Sequence, residues 1–338
     1  MSEGNDHSTA NTMRERADES RVKLWLLLRA NRLLITGALT VSVFILFVAT
    51  VEVLQLPFPQ QIESSDVIET LFSAMITVVV TGTTLVVTIG QLVLTQESGP
   101  FGDQRDRMSN SMEVRESIEE LIDSPTPTDP SALLGEILEA TVDLSGTLRE
   151  SIARTHDDVL RKDVEEFTDS VIGNADTVCD QLDDAQFGSF DVVFASLDFN
   201  YGWKIFQVER IAHEYGENLT EYECDLLEEI KTALSLFAPA REHVKTLYFQ
   251  WALIDLSRLI LYAAVPAVIV SGLMFTGVDP KTFPGHTLGM DHITLIVGGA
   301  FAVTLLPFML FVSYLLRILT VAKRTLAIEP LILRDSDR

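Results

Sequence analysis

The sequence predicts an all-α, polytopic membrane protein with four transmembrane helices and a cytoplasmic helical-bundle domain. Of the 338 residues, 47% are hydrophobic, yet the formal net charge is −24. A chain combines these two properties when its apolar and charged residues are segregated. Several uncharged apolar stretches are long enough to span a bilayer. The acidic block between them has helical apolar spacing without sustained strand alternation.

The acidic block is predicted to be a domain over residues 97–250. Between Glu97 and Lys245 the sequence contains 34 acidic and 12 basic residues, which is nearly all the excess charge. About 150 residues can form an independent helical core. The last helix of the block, starting near Leu219, has no strong breaker after Arg241 and is predicted to continue into the membrane. The other helices are predicted at Ser109–Ile122, Ser131–Arg154 (with Ser131 as its cap), Val159–Leu182 and Gly202–Tyr215, with a loop at Phe187–Phe190.

Four apolar segments are predicted to cross the membrane. Pro266 and Pro307 predict a kink in each of the last two. An interfacial helix and the first two spans occupy residues 21–96, and the last two spans occupy residues 251–318. Residues 1–20 form a disordered tail and residues 319–338 a cytoplasmic tail. The four spans run approximately Leu33–Leu54, Thr70–Gln96, Ala252–Phe275 and His292–Leu316.

The distribution of lysine and arginine predicts the orientation in the cell membrane. Basic residues precede the first span and follow the second and the fourth. The loop between the first two spans has none, and the loop between the last two has only Lys281. Because cytoplasmic flanks carry the excess of basic residues, both termini and the acidic block are predicted to be cytoplasmic.

A polar stripe runs the whole length of the second apolar segment. Between Glu69 and Glu97 lie 27 residues without a formal charge. The polar residues among them recur every three or four positions, which places them on one face of a helix. They are Thr70, Ser73, Thr77, Thr81, Thr84, Thr88, Gln91 and Thr95, with Ser98 just beyond.

Two interpretations of the stripe are open. One is a helix–helix interface inside a protomer, where Ser and Thr pack closely. The other is a pore, in which a homo-oligomer turns each residue into a ring that faces water and ions. A packing interface needs two or three such residues, whereas the stripe spans about seven turns, and carboxylates flank it as in cation-conducting pores. The candidate pore-lining residues are Glu69, Ser73, Thr77, Thr81, Thr84, Thr88, Gln91, Thr95 and Glu97.

Two features near the stripe are further candidates. Gly99, Pro100 and Gly102 predict a short turn between the second span and the acidic block, which is either a hinge or a plain connector. Asp255 and Arg258 lie one helical turn apart near the start of the third span, where a charge is costly unless paired. They are predicted to form an intramembrane ion pair, with a role in ion passage as the alternative.

The sequence contains few residues that indicate a metal site, a cofactor site or an enzyme active site. Cys179 and Cys224 are predicted to be free, buried thiols, and without a CxxC or Cys/His cluster neither a metal site nor a cofactor is expected. The Walker, dinucleotide-binding and nucleophile-elbow patterns are all missing, so an enzyme is not expected. The acidic balance argues against nucleic-acid binding. Together with 7 Lys against 18 Arg, it is typical of a halophilic archaeon.

The stretch from Leu71 (LFSAMIT) through Val93 to Arg107 (VLTQESGPFGDQRDR) resembles a family of uncharacterised haloarchaeal four-span integral membrane proteins. The overall plan is also similar to that of bestrophin-type anion channels, in which the second membrane helix lines the pore of a pentamer. That similarity is one of topology. The aromatic neck and the Arg/Trp-rich run that follow this helix in bestrophins are missing here.

The sequence therefore predicts an oligomeric ion channel or pore lined by the polar face of the second transmembrane helix. The alternative is a non-conducting membrane scaffold or signalling protein whose acidic cytoplasmic domain recruits a partner. The two differ in whether the stripe faces a solvated axis or a dry protomer interior. The expected partners are the lipid bilayer, further copies of the chain and inorganic ions.

Overall fold

A computed structural model describes residues 25–54, 58, 62, 66–97, 100–183, 185, 190–278, 283–287 and 289–325. Over these residues the fold is all-α apart from a short β-hairpin, β1 (His286–Thr287) with β2 (Met290–Asp291). A π-helical turn, Trp25–Arg29, precedes the first α-helix. The helices are α1 (Arg32–Val53), α2 (Val67–Glu97), α3 (Phe101–Ile122), α4 (Pro130–Ile152), α5 (Asp158–Asp183), α6 (Phe190–Leu197), α7 (Tyr201–Tyr215), α8 (Glu221–Gly277), α9 (His292–Thr304) and α10 (Leu306–Thr325).

The chain folds as two compact units. The apolar unit comprises Ala30–Ser98 and Gln250–Leu319. The acidic unit comprises Met1–Arg29, Gly99–Phe249 and Thr320–Arg338. Helix α8 contributes residues to both units, as predicted from the lack of a breaker after Arg241, and it stays one helix through Pro239 and Pro266.

Helices α3 to α7 and the first part of α8 build the acidic unit around an apolar core. Helix α4 begins at Pro130, and its cap is Asp129 rather than Ser131, because the Asp129 carboxylate accepts hydrogen bonds from the N–H groups of Ser131 (2.8 Å) and Ala132 (3.3 Å). Helix α6 begins at Phe190, the last residue of the predicted loop, and it was not predicted. Fully buried core residues include Leu134, Ile137, Leu138, Val171, Val178, Ile230 and Phe237.

Among the described residues, three helices are long and apolar enough to cross a membrane, namely α1, α2 and α8, and the apolar window of α8 lies in its second part. Helices α9 and α10 meet the same criterion only when they are taken together, and they are bent by 46° at Leu305, so the pair counts as a fourth candidate span only if it is one broken span. Pro307 explains the break, because it has no N–H to donate and its ring clashes with the preceding turn. The predicted kink is therefore a division into two helices.

Arginine side chains tie the start of α1 to α10. Arg32 is only 4% exposed, and its Nη1 donates to the carbonyl oxygen of Ser313 at 3.2 Å. The hydroxyls of Thr36 and Ser313 lie 3.0 Å apart, and Arg317 Nη2 donates to the carbonyl oxygen of Ala30 at 2.7 Å. These bonds satisfy buried polar groups that would otherwise be costly in an apolar environment.

Near the other end of α1, a glycine of α9 allows the two helices to pack closely. A Cβ atom on Gly298 of α9 would lie 2.9 Å from Phe47 Cδ1 and 3.4 Å from Val48 Cγ2. The Phe47 side chain cannot easily move away, because its ring also contacts two others. Its ring centre lies 5.8 Å from that of Phe58, in an edge-to-face arrangement, and 5.6 Å from that of Phe301. Glycine therefore sets the closest approach of α1 and α9.

We expect Gly298→Ala to destabilise the protein by about 1–3 kcal/mol, because the added methyl group overpacks this contact. The measurement is the thermal unfolding temperature in detergent. Gly299→Ala is the matched control, since a Cβ at Gly299 would meet nothing within 4 Å and Ala gains up to about 1 kcal/mol of helix propensity. Equal unfolding temperatures for the two variants would contradict the packing described here.

Candidate functional site

The polar stripe lies on the face of α2 opposite the face that packs into the apolar unit. All eight of its residues from Thr70 to Thr95 are exposed in the protomer. At 3.6 residues per turn they occupy an arc of about 80°, centred about 170° from the middle of the buried face. Within the described part of the protomer, the stripe is therefore not a packing seam. Among the described side chains, the buried face comprises Ile68, Phe72, Met75, Val79 and Val86.

Small residues bring the buried face of α2 close to α8. Val79 packs against Ala264 and Ala267. Nearer the end of α2, a Cβ atom on Gly90 would lie 3.4 Å from the Ser257 hydroxyl oxygen. Side chains of this size allow helices to approach closely, which is how apolar helices gain packing energy in lipid. The contact fixes the rotation of α2 and so fixes which way its polar face points.

Threonines of the stripe donate their hydroxyl hydrogens to the helix's own backbone. A hydroxyl that has used its hydrogen in this way still offers its lone pairs. The exposed oxygens of these threonines therefore accept hydrogen bonds rather than donate them. The four bonds join Thr77 to the carbonyl oxygen of Ser73 (3.2 Å), Thr84 to Val80 (2.9 Å), Thr88 to Thr84 (2.9 Å) and Thr95 to Gln91 (2.8 Å).

Exposed apolar residues flank the stripe on both sides. Val78, Leu85 and Leu92 form one row, with exposed fractions of 51%, 58% and 62%. Val80 and Val87 lie on the other side of the stripe, with exposed fractions of 51% and 36%. Helix α2 therefore has a packed apolar face, a polar face opposite to it, and two unpacked apolar flanks between them.

The predicted residues at the ends of the stripe do not extend it. Glu69 is exposed but lies about 80° from the centre of the stripe on a regular helix. Glu97 is the last residue of α2, and its side chain lies outside the described residues. Of the predicted hinge, Gly99 also lies outside the described residues. Pro100 is the N-cap of α3, and Gly102 is already helical, so the predicted turn ends sooner than expected.

The predicted intramembrane pair lies on the exposed surface of α8. Arg258 Nη1 is 3.9 Å from Asp255 Oδ1, and the two side chains are 64% and 57% exposed. This separation is too long for a hydrogen bond. The pair therefore leaves hydrogen-bonding capacity on both charged groups.

The whole chain matches the model of one protein family. The chain belongs to DUF7972, a family of unknown function. The match covers residues 1–338. No curated protein and no solved structure matches the chain. Membership of an uncharacterised family agrees with the resemblance found in the sequence, whereas the haloarchaeal source and the four-span topology stay predictions.

Among the described residues, no group of three or more His, Cys, Asp or Glu side chains could hold a metal ion. Burial, followed by the charges of nearby carboxylates such as Glu139 and Asp176, raises the pKa of Cys179 to about 11. Its thiol therefore stays protonated and unreactive at neutral pH. Cys179 is only partly buried and Cys224 is exposed, so the prediction of two buried thiols was wrong.

Two buried cations of the acidic unit were not found from the sequence. Arg241 is 1% exposed, forms an ion pair with Glu242 at 2.6 Å and lies 4.9 Å from the ring centre of Tyr201. Lys204 is also 1% exposed, donates to Asn174 Oδ1 at 3.0 Å and lies 4.9 Å from the ring centre of Phe199.

One sequence signal could have indicated Lys204. It shares helical spacing with Val208 and Ile211, which are both buried, so it occupies an apolar position of α7. Its partner Asn174 comes from α5, 30 residues away in sequence. Spacing alone cannot reveal such a contact, because the contact depends on how the helices pack.

Proposed function

We propose that the protein is an oligomeric ion channel whose pore is lined by the polar face of α2. The observation that carries this proposal is the position of the stripe, which is exposed along its length and opposite the packed face of the helix. Inside a bilayer, hydrocarbon offers no partner to its oxygen atoms. A polar face of this length is therefore best accommodated against water.

Several copies of the chain are needed to enclose the water. One helix per protomer makes a closed wall only when three or more protomers surround an axis. In this arrangement the stripe of each α2 faces the axis, and its two apolar flanks, with Val80 on one side and Leu85 on the other, contact the neighbouring copies. The division of α2 into polar face and apolar flanks supports this geometry.

The conducted ions are cations in this proposal. The threonines that donate to their own backbone present oxygen lone pairs to the axis, and stacked rings of such oxygens replace part of the hydration shell of a cation. An anion would need hydrogen-bond donors, which these hydroxyls have already used. Glu69 lies beside the stripe, on the flank that carries Val87, and adds a negative charge near one end of it.

The apolar unit spans the cell membrane in this proposal, with the acidic unit and both termini in the cytoplasm. Support comes from the position of basic residues. Arg32 and Arg317 both hydrogen-bond at the end of the apolar unit where α1 begins. Arginines collected at one end of a spanning unit favour the cytoplasmic side for that end.

We expect Thr84→Leu to reduce cation flux at least tenfold in reconstituted vesicles. Thr84 lies near the middle of α2, and Leu replaces an oxygen acceptor by bulky apolar atoms, which in a ring of copies makes a dewetted constriction. Thr50→Leu is the matched control, because Thr50 is exposed on α1 and off the stripe. Both variants should keep the elution volume and unfolding temperature of the original protein. Undiminished flux through a folded Thr84→Leu variant would refute the pore.

Cysteine scanning should show a helical pattern of water access along α2. After replacement of Cys179 and Cys224 by Ser, single cysteines at Thr77, Thr84 and Thr88 should react with charged methanethiosulfonates in intact membranes. Cysteines at Val79 and Val86 should not, because these positions pack against α8. A cation-conducting pore also predicts faster reaction with the positively charged reagent. Equal reactivity at all five positions, or at none, would count against a solvated stripe.

Glu69→Lys should lower the permeability of cations relative to anions, measured as a shift of reversal potential in a salt gradient. The shift should be large near 0.1 M KCl and small at 1 M, because the screening length falls from about 10 Å to about 3 Å. Glu52→Lys is the control, since Glu52 is an exposed carboxylate on α1. If both variants shift the reversal potential equally, Glu69 does not contribute to cation selectivity through a position near the pore.

The scaffold hypothesis gives different outcomes in these experiments. If the stripe joins copies of the chain without enclosing water, Thr84→Leu alters the oligomeric state and flux is absent from the start. The acidic unit would then be the functional part, and its excess of carboxylates favours a basic partner.

A further inference from the structure

A surface cavity of about 260 Å³ lies beside the exposed ion pair of the apolar unit. Its lining combines one cation, one anion, an apolar side chain and two aromatic rings with hydroxyl groups. This composition is unusual for a helix face within a membrane-spanning segment, where charges are rare and costly. The lining residues are Asp255, Arg258, Leu259, Tyr262 and Tyr314.

The two charges leave capacity for a ligand. Because Arg258 and Asp255 approach only to 3.9 Å, they do not hydrogen-bond to each other. The guanidinium fork matches the oxygens of a phosphate. The carboxylate accepts hydrogen bonds, so it suits a headgroup that carries N–H or O–H donors next to its phosphate.

The same face of α8 continues as an exposed apolar row. Tyr262, Val265, Ile269 and Leu273 follow Arg258 at helical spacing, and they are 66%, 62%, 56% and 63% exposed. The row from Tyr262 to Leu273 is about 16 Å long. One leaflet contributes about 15 Å of hydrocarbon. Tyrosine is typical of the boundary between headgroups and hydrocarbon.

We propose that this cavity binds a glycerophospholipid, with its phosphodiester on Arg258, its donor-bearing headgroup on Asp255 and a hydrocarbon chain along Val265, Ile269 and Leu273. Ethanolamine and glycerol headgroups meet the requirement for a donor, whereas choline does not. Charge complementarity at one end and matching apolar length at the other favour a lipid over a second copy of the chain. This inference does not depend on ion conduction.

The test measures displacement of a tail-labelled fluorescent phosphatidylglycerol from the full-length, delipidated protein in mixed micelles. The competitors are unlabelled phosphatidylglycerol, phosphatidylethanolamine, phosphatidylcholine and diacylglycerol. Phosphatidylglycerol and phosphatidylethanolamine should compete well, phosphatidylcholine at least fivefold less well, and diacylglycerol not measurably. Arg258→Gln should weaken binding at least tenfold, and Arg258→Lys less.

Arg161→Gln is the matched control, because Arg161 pairs with Asp158 at the same i,i+3 spacing on α5 of the acidic unit. It should leave lipid binding unchanged. Asp255→Asn should reduce the preference for phosphatidylglycerol over phosphatidylcholine while the unfolding temperature in lipid-free detergent stays the same. Equal competition by diacylglycerol, or unchanged binding to a folded Arg258→Gln variant, would overturn the proposal. So would a changed oligomeric state of Arg258→Gln with unchanged lipid binding, since the pair would then contact a second copy.

Discussion

The packing of one face of α2 against α8 and α9 is the constraint on which the functional surface depends. Phe72 and Val79 are buried on this face, and their positions determine the rotation of the helix about its axis. Every stripe residue follows from that rotation, because side chains on a helix keep fixed angular positions. A helix turned by half a revolution would bury the hydroxyls and expose Val79 and Val86. The polar face is thus defined by apolar contacts on the opposite side.

Those contacts are strong because the residues that make them are small or tightly held. Helices in lipid gain little from the hydrophobic effect, so close approach and dispersion provide most of the association energy. Ala264 and Ala267 serve this purpose under Val79, and Gly298 does so under Phe47. Hydroxyls that bond to their own backbone complete the arrangement, because the bond satisfies the hydroxyl hydrogen within the helix while the oxygen remains available as an acceptor.

Much of the fold could be predicted from the sequence because apolar runs and helical spacing are local signals. The runs at α1, α2 and α8 and the continuous helix through residues 241–252 were visible in this way, and so was the stripe. The cap of α4 was assigned to Ser131 instead of Asp129, because both can cap and only the backbone geometry decides. Helix α6 was missed, since its eight residues are too few for a clear period.

The candidate site was less predictable because it depends on which surfaces remain unpacked. Periodicity placed the threonines on one face but did not say whether that face lay inside the protomer. The exposed flanks of α2 and the tyrosines beside Arg258 became meaningful only when their neighbours were known. A repeating pattern identifies a helix face. The function of that face depends on what it contacts once the rest of the chain has packed.

The buried cations of the two units have different surroundings. In the apolar unit, the buried Arg32 donates to a backbone carbonyl oxygen, that of Ser313. In the acidic unit, Lys204 and Arg241 lie against aromatic rings, where a cation retains favourable electrostatics without water. Such buried cations rarely add net stability compared with apolar residues. Their contacts hold only in a packing arrangement of α7 and α8 that brings each ring and each oxygen partner into place.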